Sequence, residues 1–257
     1  MDAQHAAVTN HHGGNNKTWL RCRPETTNRL RREVVVIEQR SLRLLAIVVL
    51  SAIVVFALLV LLSQISGSEE EVQELLADVP QDGTMLGSED APVTIYLYED
   101  LQCPACASFA RRTFPHLVTR YVEPGEVKVV SEPLTIIGPD STPATEAALS
   151  AGEQDLYWEY STLFFLNQKR ENSGYVTGEF LTSIAKETQG LDVGQWNEDR
   201  EQGSFESEIE AAQNMAQDDG VGGTPTMVIT GPQGTSKLVG AVPIDQVAAA
   251  IDEVEAP

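Results

Sequence analysis

The chain has 257 residues and three cysteines, two of which stand as Cys103-Pro104-Ala105-Cys106. In a helix this spacing sets the sulfurs one turn apart, near enough to close a disulfide within the turn. The run before the pair, Val93–Tyr98 (VTIYLY), is short, apolar, β-branched and aromatic, as in a buried strand. Phe114, Leu117, Val118 and Tyr121 follow at helical spacing, so a helix is expected from about Cys103 to Tyr121, kinked by Pro115. A cysteine at that helix start faces backbone N–H groups without internal partners and the positive end of the helix dipole. Both favour a thiolate, so Cys103 is expected to titrate below the free-thiol value of about 8.5. The thiolate is the species that attacks in thiol–disulfide exchange. Pro104 suits the first turn, where its missing N–H costs nothing.

Other chemistries fit less well. A structural zinc site needs four ligands, and beyond the pair the chain after residue 43 offers only His116. No metal is therefore expected. A purely structural disulfide is the bland alternative, but so short a loop restricts the unfolded chain little. A C-x-x-C beside a β-α-β pattern is itself a redox signal.

The elements that must position the pair come next. Val127–Val130, Thr226–Thr230 and Lys237–Val242 read as further strands, with Gly231-Pro232-Gln233-Gly234 as a turn. Helical patterns fill about Thr142 to Asp219: Ala144–Phe165, Glu179–Thr188 and Phe205–Ala216, the last with Phe205, Ile209 and Ala212 on one side. A final helix carries Ile244, Val247, Ile251 and Val254 on one face. Strand, helix, strand, a long helical stretch, then hairpin and helix imply an α/β sandwich with a helical insertion.

Charge divides the chain. Met1–Arg43 has a balance of +4, and Leu44 onward one of −25. Between them Leu44–Leu62 (LLAIVVLSAIVVFALLVLL) has no charge and only Ser51 as a polar residue. As a helix it is long enough for about 30 Å of hydrocarbon. Arg40 and Arg43 precede it and Glu69, Glu70 and Glu71 follow, which places the N-terminus inside and the acidic part outside. The run exceeds a usual signal-peptide core and no small-residue cleavage site follows, so a retained anchor is expected. Residues 1–43 read as a disordered basic tail; its Cys22 would be a free thiol in a reducing cytoplasm, and adjacent His11 and His12 carry no site. Residues 63–86 read as an acidic stalk. Within it Val72, Leu75, Leu76 and Val79 give Glu69–Asp78 an amphipathic helix, expected to pack on the domain of residues 87–257, and Pro80-Gln81-Asp82-Gly83 breaks it. The excess acid opposes nucleic-acid binding.

Three segments carry a resemblance. Tyr98-Glu99-Asp100-Leu101-Gln102-Cys103-Pro104-Ala105-Cys106 resembles the D-x-x-C-P-x-C start of bacterial DsbA-like domains of the thioredoxin superfamily. Leu156–Tyr160 with Leu163-Phe164-Phe165 resembles that group's helical insertion, here about 141–219. Val221–Thr226 (VGGTPT), by itself an ordinary turn, resembles its cis-proline loop. The resemblance covers roughly Gly87 to Val254. It implies a thioredoxin-like fold with an inserted helical subdomain, no cofactor, a cis Pro225 facing Cys103, and a Thr224 that tunes the pair and meets the substrate backbone. Pro104 and Ala105, between the cysteines, belong to the same redox-tuning set. The activity implied is disulfide formation or exchange in exported proteins with free thiols. Such an oxidase would be reoxidised by a membrane partner, quinone-linked in the family. Two departures stand out. Many relatives carry a buried acid six residues before the first cysteine, where this chain has Leu97; Glu99 and Asp100 are the substitutes for proton transfer, and both are expected to be solvated loop carboxylates. The strongly oxidising members have a His between the cysteines, where this chain has Ala105, so a milder oxidant is expected. A reductase or isomerase on the same fold, and an anchored non-catalytic binding module with an inert disulfide, remain the alternatives.

Overall fold

The structure is a computed structural model that describes residues 45–58, 69–203 and 205–255. It divides into two units, Met1–Val60 and Leu61–Pro257. In the first, residues 45–58 form one helix with its apolar side chains exposed, Leu45 at 61% and Phe56 at 68%. No helix among the described residues is long and apolar enough to cross a membrane. Positions 44 and 59–62 of the expected span lie outside the described residues, as do residues 1–43.

The second unit begins with helix α1 (69–76). Its amphipathic face does what the spacing predicts: Val72, Leu76 and Val79 are buried in the main core, with Leu75 packed against it. The segment after it is not just a break. Strands β1 (Gln81–Asp82) and β2 (Met85–Leu86) pair as a hairpin around Gly83-Thr84, and β2 joins the sheet edge. Gly87 then turns at φ +106, where a Cβ would lie 2.9 Å from Val122 Cγ1 and 3.0 Å from Val127 O. Only glycine accepts both that dihedral and that contact.

The remaining strands are β3 (Val93–Glu99), β4 (Val127–Pro133), β5 (Thr226–Gly231) and β6 (Gly234–Val239). The sheet order is β1-β2-β4-β3-β5-β6, with β3 parallel to β4 and antiparallel to β5. Strand alternation sends Val93, Ile95, Leu97, Val127, Val129, Met227 and Ile229 into one core. That core also holds residues of α2 (Pro104–Arg112), α3 (Phe114–Leu117) and α9 (Ile244–Val254). Tyr96, Tyr98 and Val228 face the other way, against Ala212 and Ala216 of α8 (Glu206–Asp218). The sheet is thus covered on both sides, the layered arrangement the element order implies.

The helical insertion contains α4 (Ser141–Gly152), α5 (Tyr157–Leu166), α6 (Gly178–Glu187), α7 (Val193–Gln202) and α8. Two details depart from the sequence reading. The single helix expected over Ala144–Phe165 splits at Glu153–Leu156, where Asp155 adopts φ +56 and its Oδ1 accepts from Gly83 N at 3.1 Å. Helix α7 was not legible by periodicity, because Trp196 is its one buried residue. Asp192 Oδ1 caps it by accepting from Gly194 N and Gln195 N, and Trp196 Nε1 donates to Ala147 O at 2.8 Å. The kink at Pro115 is present: α2 ends at Arg112, and after α3 the chain makes a π-helical turn over Val118–Val122.

Candidate active site

Strand β3 delivers the chain to Glu99, a tight turn follows, and α2 opens at Pro104 with Cys103 as its N-cap residue. Cys103 has φ −75 and ψ 120, and Cys103 N donates to Asp100 O at 2.8 Å. Its sulfur therefore sits over the first turn of the helix. Both cysteines are free thiols; Cys103 is 6% exposed and Cys106 is fully enclosed. Pro104 is exposed at the helix start and Ala105 is half-buried. Among the described residues no cluster of three His, Cys, Asp or Glu could hold a metal ion.

The loop before β5 comes up against the pair. The Thr224–Pro225 peptide is cis, as the resemblance implied, and Cys103 Sγ donates to Thr224 O at 3.4 Å. Gly240 N donates to Pro225 O at 2.7 Å and Thr226 Oγ1 to Gly223 O at 2.7 Å, which fixes the far end of this loop. Cys103 and Thr224, more than a hundred residues apart in sequence, are thus brought into contact.

The two thiols are unequal. Hydrogen bonding from the Cys106 side chain is the main influence that lowers Cys103, opposed by burial and aided by the Thr224 side chain and the backbone N–H groups of Cys106 and Ala105; Cys103 comes down to about 6. Cys106 moves the other way, well above a normal thiol, because it is buried and because Cys103 and Glu99 lie close. At neutral pH these opposite shifts favour a thiolate at Cys103 and a thiol at Cys106.

The two carboxylates differ, and neither is solvated as the sequence suggested: Glu99 is 3% exposed and Asp100 fully buried. Asp100 Oδ1 accepts from Gln102 N at 2.8 Å, and its Oδ2 accepts from Ile136 N at 2.8 Å and Ile137 N at 3.0 Å. Those bonds staple the turn to the loop after β4 and leave Asp100 a structural task. Glu99 points into the core beside a void of about 10 Å³, lined among others by Leu97, Phe109, Ser161 and Thr162. Burial, and then the nearby Cys103, raise its carboxyl to about 8. Glu99 and Leu97 share a face of β3, since side chains alternate along a strand. The acid has moved one pleat nearer the sulfurs, and that alternation was the signal for it in the sequence.

Sequence reasoning missed a third set of residues. Gln102 is buried; its Oε1 accepts from Asn172 N at 3.0 Å and its Nε2 donates to Tyr175 Oη at 3.0 Å. Gln168 Nε2 donates to Leu101 O at 2.7 Å and to Cys103 O at 3.2 Å. The turn that carries Cys103 is thus clasped by the segment after α5. No short-range pattern marks such residues, because their partners are set by the tertiary fold.

Comparison with known proteins gives a consistent result. The family model described as Thioredoxin matches residues 80–253. A protein named "Probable disulfide bond formation protein D" from Bacillus anthracis is 28% identical over 194 residues, covering 74% of this chain and 88% of that protein. Among solved structures, oxidised BdbD from Bacillus subtilis superposes with a TM-score of 0.60 at 23% identity, covering 68% of this chain and 97% of the other. Chlamydia trachomatis DsbA superposes with a TM-score of 0.58 at 23% identity, covering 66% and 90%.

Proposed function

We propose, from the premise that this chain belongs to the thioredoxin family, in its DsbA-like branch, and is a thiol–disulfide oxidoreductase, that Cys103 and Cys106 are its redox pair and donate a disulfide to exported proteins outside the cytoplasm. The observation that carries this reading is the asymmetry of the pair: Cys103 at the start of α2 with its Sγ 3.4 Å from Thr224 O of the cis-proline loop, and Cys106 fully buried within the same turn.

The steps follow from that asymmetry. In the disulfide form a substrate thiolate attacks Cys103 Sγ, the Cys103–Cys106 bond breaks, and Cys106 leaves with the electron pair. Because Cys106 is a poor acid, its thiolate takes up a proton, and protonated Glu99 is placed to give it. A second substrate thiolate then attacks the substrate sulfur of the mixed disulfide and releases Cys103 as a thiolate. Two electrons have moved from the substrate dithiol to the pair. A membrane partner, quinone-linked as in the family, accepts them and restores the disulfide. Thr224 and Pro225 hold the substrate backbone beside the sulfur, with Pro104 and Ala105 shaping the surface between.

In this reading residues 44–62 anchor the domain, with the tail 1–43 in the cytoplasm, 63–86 as the link, and 87–257 as the catalytic domain outside. The test is the equilibrium potential of the pair in the full chain, titrated against glutathione. A value well above about −200 mV fits disulfide donation, milder than the most oxidising relatives because Ala105 replaces His. A value near that of thioredoxin, about −270 mV, turns the reading to a reductase. A pair that resists reduction altogether makes it a structural disulfide in a binding module.

A further inference from the structure

We propose that Gln168, in the helical insert, is a positioning residue that holds the loop carrying Cys103 so that the first-turn N–H groups of α2 stay aimed at its sulfur. The proposal rests on Cys103 and Cys106 being the redox pair.

One amide nitrogen serves two carbonyls here: Nε2 of Gln168 donates to Leu101 O at 2.7 Å and to Cys103 O at 3.2 Å. Those carbonyls flank the turn from β3 into α2, and Ala107 N also donates to Cys103 O, at 3.1 Å. The orientation of the peptide leaving Cys103 is therefore fixed from two sides, once by the helix and once by the insert. Gln168 is itself held in place. It follows Asn167, whose N and Nδ2 both donate to Leu163 O at 3.0 Å and close α5. At the other end of α2, an Arg111 guanidinium nitrogen donates to Phe165 O and to Leu166 O. Helix α2 is thus tied to the end of α5 at both of its own ends, and Gln168 is the tie at the sulfur end. Gln102, bonded to Asn172 N and Tyr175 Oη, reinforces the same contact from the redox loop's side.

The consequence concerns the N–H groups of Ala105 and Cys106, which help to hold Cys103 as a thiolate. Their direction is set by how the chain enters α2. Without the donor at position 168, the carbonyl of Leu101, a residue 2% exposed, loses this bond, and relieving it requires the turn to rotate. The helical insert then does more than cover the sheet: it tunes the reactivity of the pair.

The test uses full-length protein with Gln168→Leu, which keeps the bulk and removes the donor, and Gln168→Lys, which keeps a donor. Thiolate absorbance near 240 nm is followed against pH, and the potential is measured against glutathione. Gln168→Leu is expected to raise the Cys103 midpoint by about half a pH unit, roughly a threefold loss of thiolate stabilisation. Threefold corresponds to a potential about 14 mV more reducing. Gln168→Lys is expected to leave the midpoint unchanged or lower it. A folded Gln168→Leu protein with unchanged midpoint and potential overturns the proposal, as does a Gln168→Lys midpoint raised as far as that of Gln168→Leu. Should Gln168→Leu not fold, Gln168→Met, which is neutral and has no donor, carries the same test with the midpoint again expected to rise. If the wild-type protein exchanges no thiols, the redox reading itself is refuted. Exchange by the wild type with an unmoved Gln168→Leu refutes only the role of Gln168.

Discussion

Replacing Glu99 by Gln keeps its shape and removes its charge, and the consequences can be worked out. The carboxyl is 3% exposed, and burial, followed by Cys103, raises it from the ordinary 4.5 to about 8. Between those two values the unfolded chain has lost the Glu99 proton and the folded protein has kept it. Wild-type stability therefore falls as pH rises from about 4.5 to about 8, at roughly 1.4 kcal/mol per pH unit. Over the whole window this amounts to about 5 kcal/mol, an upper bound at this level of reasoning. Cys103 acts with the opposite sign. Its folded value, about 6, lies below the ordinary 9.0, so the reduced protein gains stability as pH rises between them. The two effects partly cancel above pH 6 in the dithiol form; in the disulfide form Cys103 no longer titrates, and the difference between wild type and Glu99→Gln separates Glu99 from Glu132, whose carboxyl burial also raises to about 7. The assay is urea unfolding of wild type and Glu99→Gln, in both redox states, at intervals from pH 4.5 to 8. The variant's advantage should grow with pH in both states. Glu99→Gln should also slow reduction of the disulfide by a dithiol substrate at pH 7 by about a hundredfold, the usual scale of a lost general acid. If the stability difference does not change with pH, Glu99 is ionised in the folded protein and cannot supply the proton.

Three further outcomes are expected. Cys106→Ala removes the main influence that lowers Cys103, so the Cys103 midpoint, read from alkylation rate against pH, should move up from about 6 towards 9. Asp100→Ala leaves three backbone N–H groups without their acceptor and should cost about 3 kcal/mol or more in denaturant unfolding. An unchanged midpoint there would contradict the stapling role. Leu76→Ala, on a side chain 1% exposed, should cost about 2–5 kcal/mol and leave the equilibrium potential unchanged. A potential that moved would mean that α1 acts on the site.

Much of the molecule was legible because its signals are local. The C-x-x-C at a strand-to-helix junction points to a lowered Cys103, because the Cys106 side chain and the first-turn N–H groups that lower it come with the motif itself. Val72, Leu75, Leu76 and Val79 announce a docking face by spacing alone, and Pro115 announces the break after α2. The β1–β2 hairpin did not announce itself, since two-residue strands have no periodicity and gain their pairing from the edge of a sheet already formed. Helix α7 was hidden for a related reason: one tryptophan, bonded to Ala147 O, anchors it, and one residue is not a pattern.

The sequence by itself marked Cys103 and Cys106 as the candidate pair through their spacing at a strand-to-helix junction, and the resemblance it carries marked Thr224-Pro225. The tertiary structure alone decided how their surroundings divide the work. Glu99 and Asp100 are neighbours in sequence and chemically alike, yet one points into an apolar core and keeps its proton, while the other meets three N–H groups and holds a loop. Gln102 and Gln168 look like ordinary polar residues until the insert folds back over the redox turn. A carboxyl's protonation and an amide's role depend on solvation and on partners distant in sequence, and those exist only once the chain has packed.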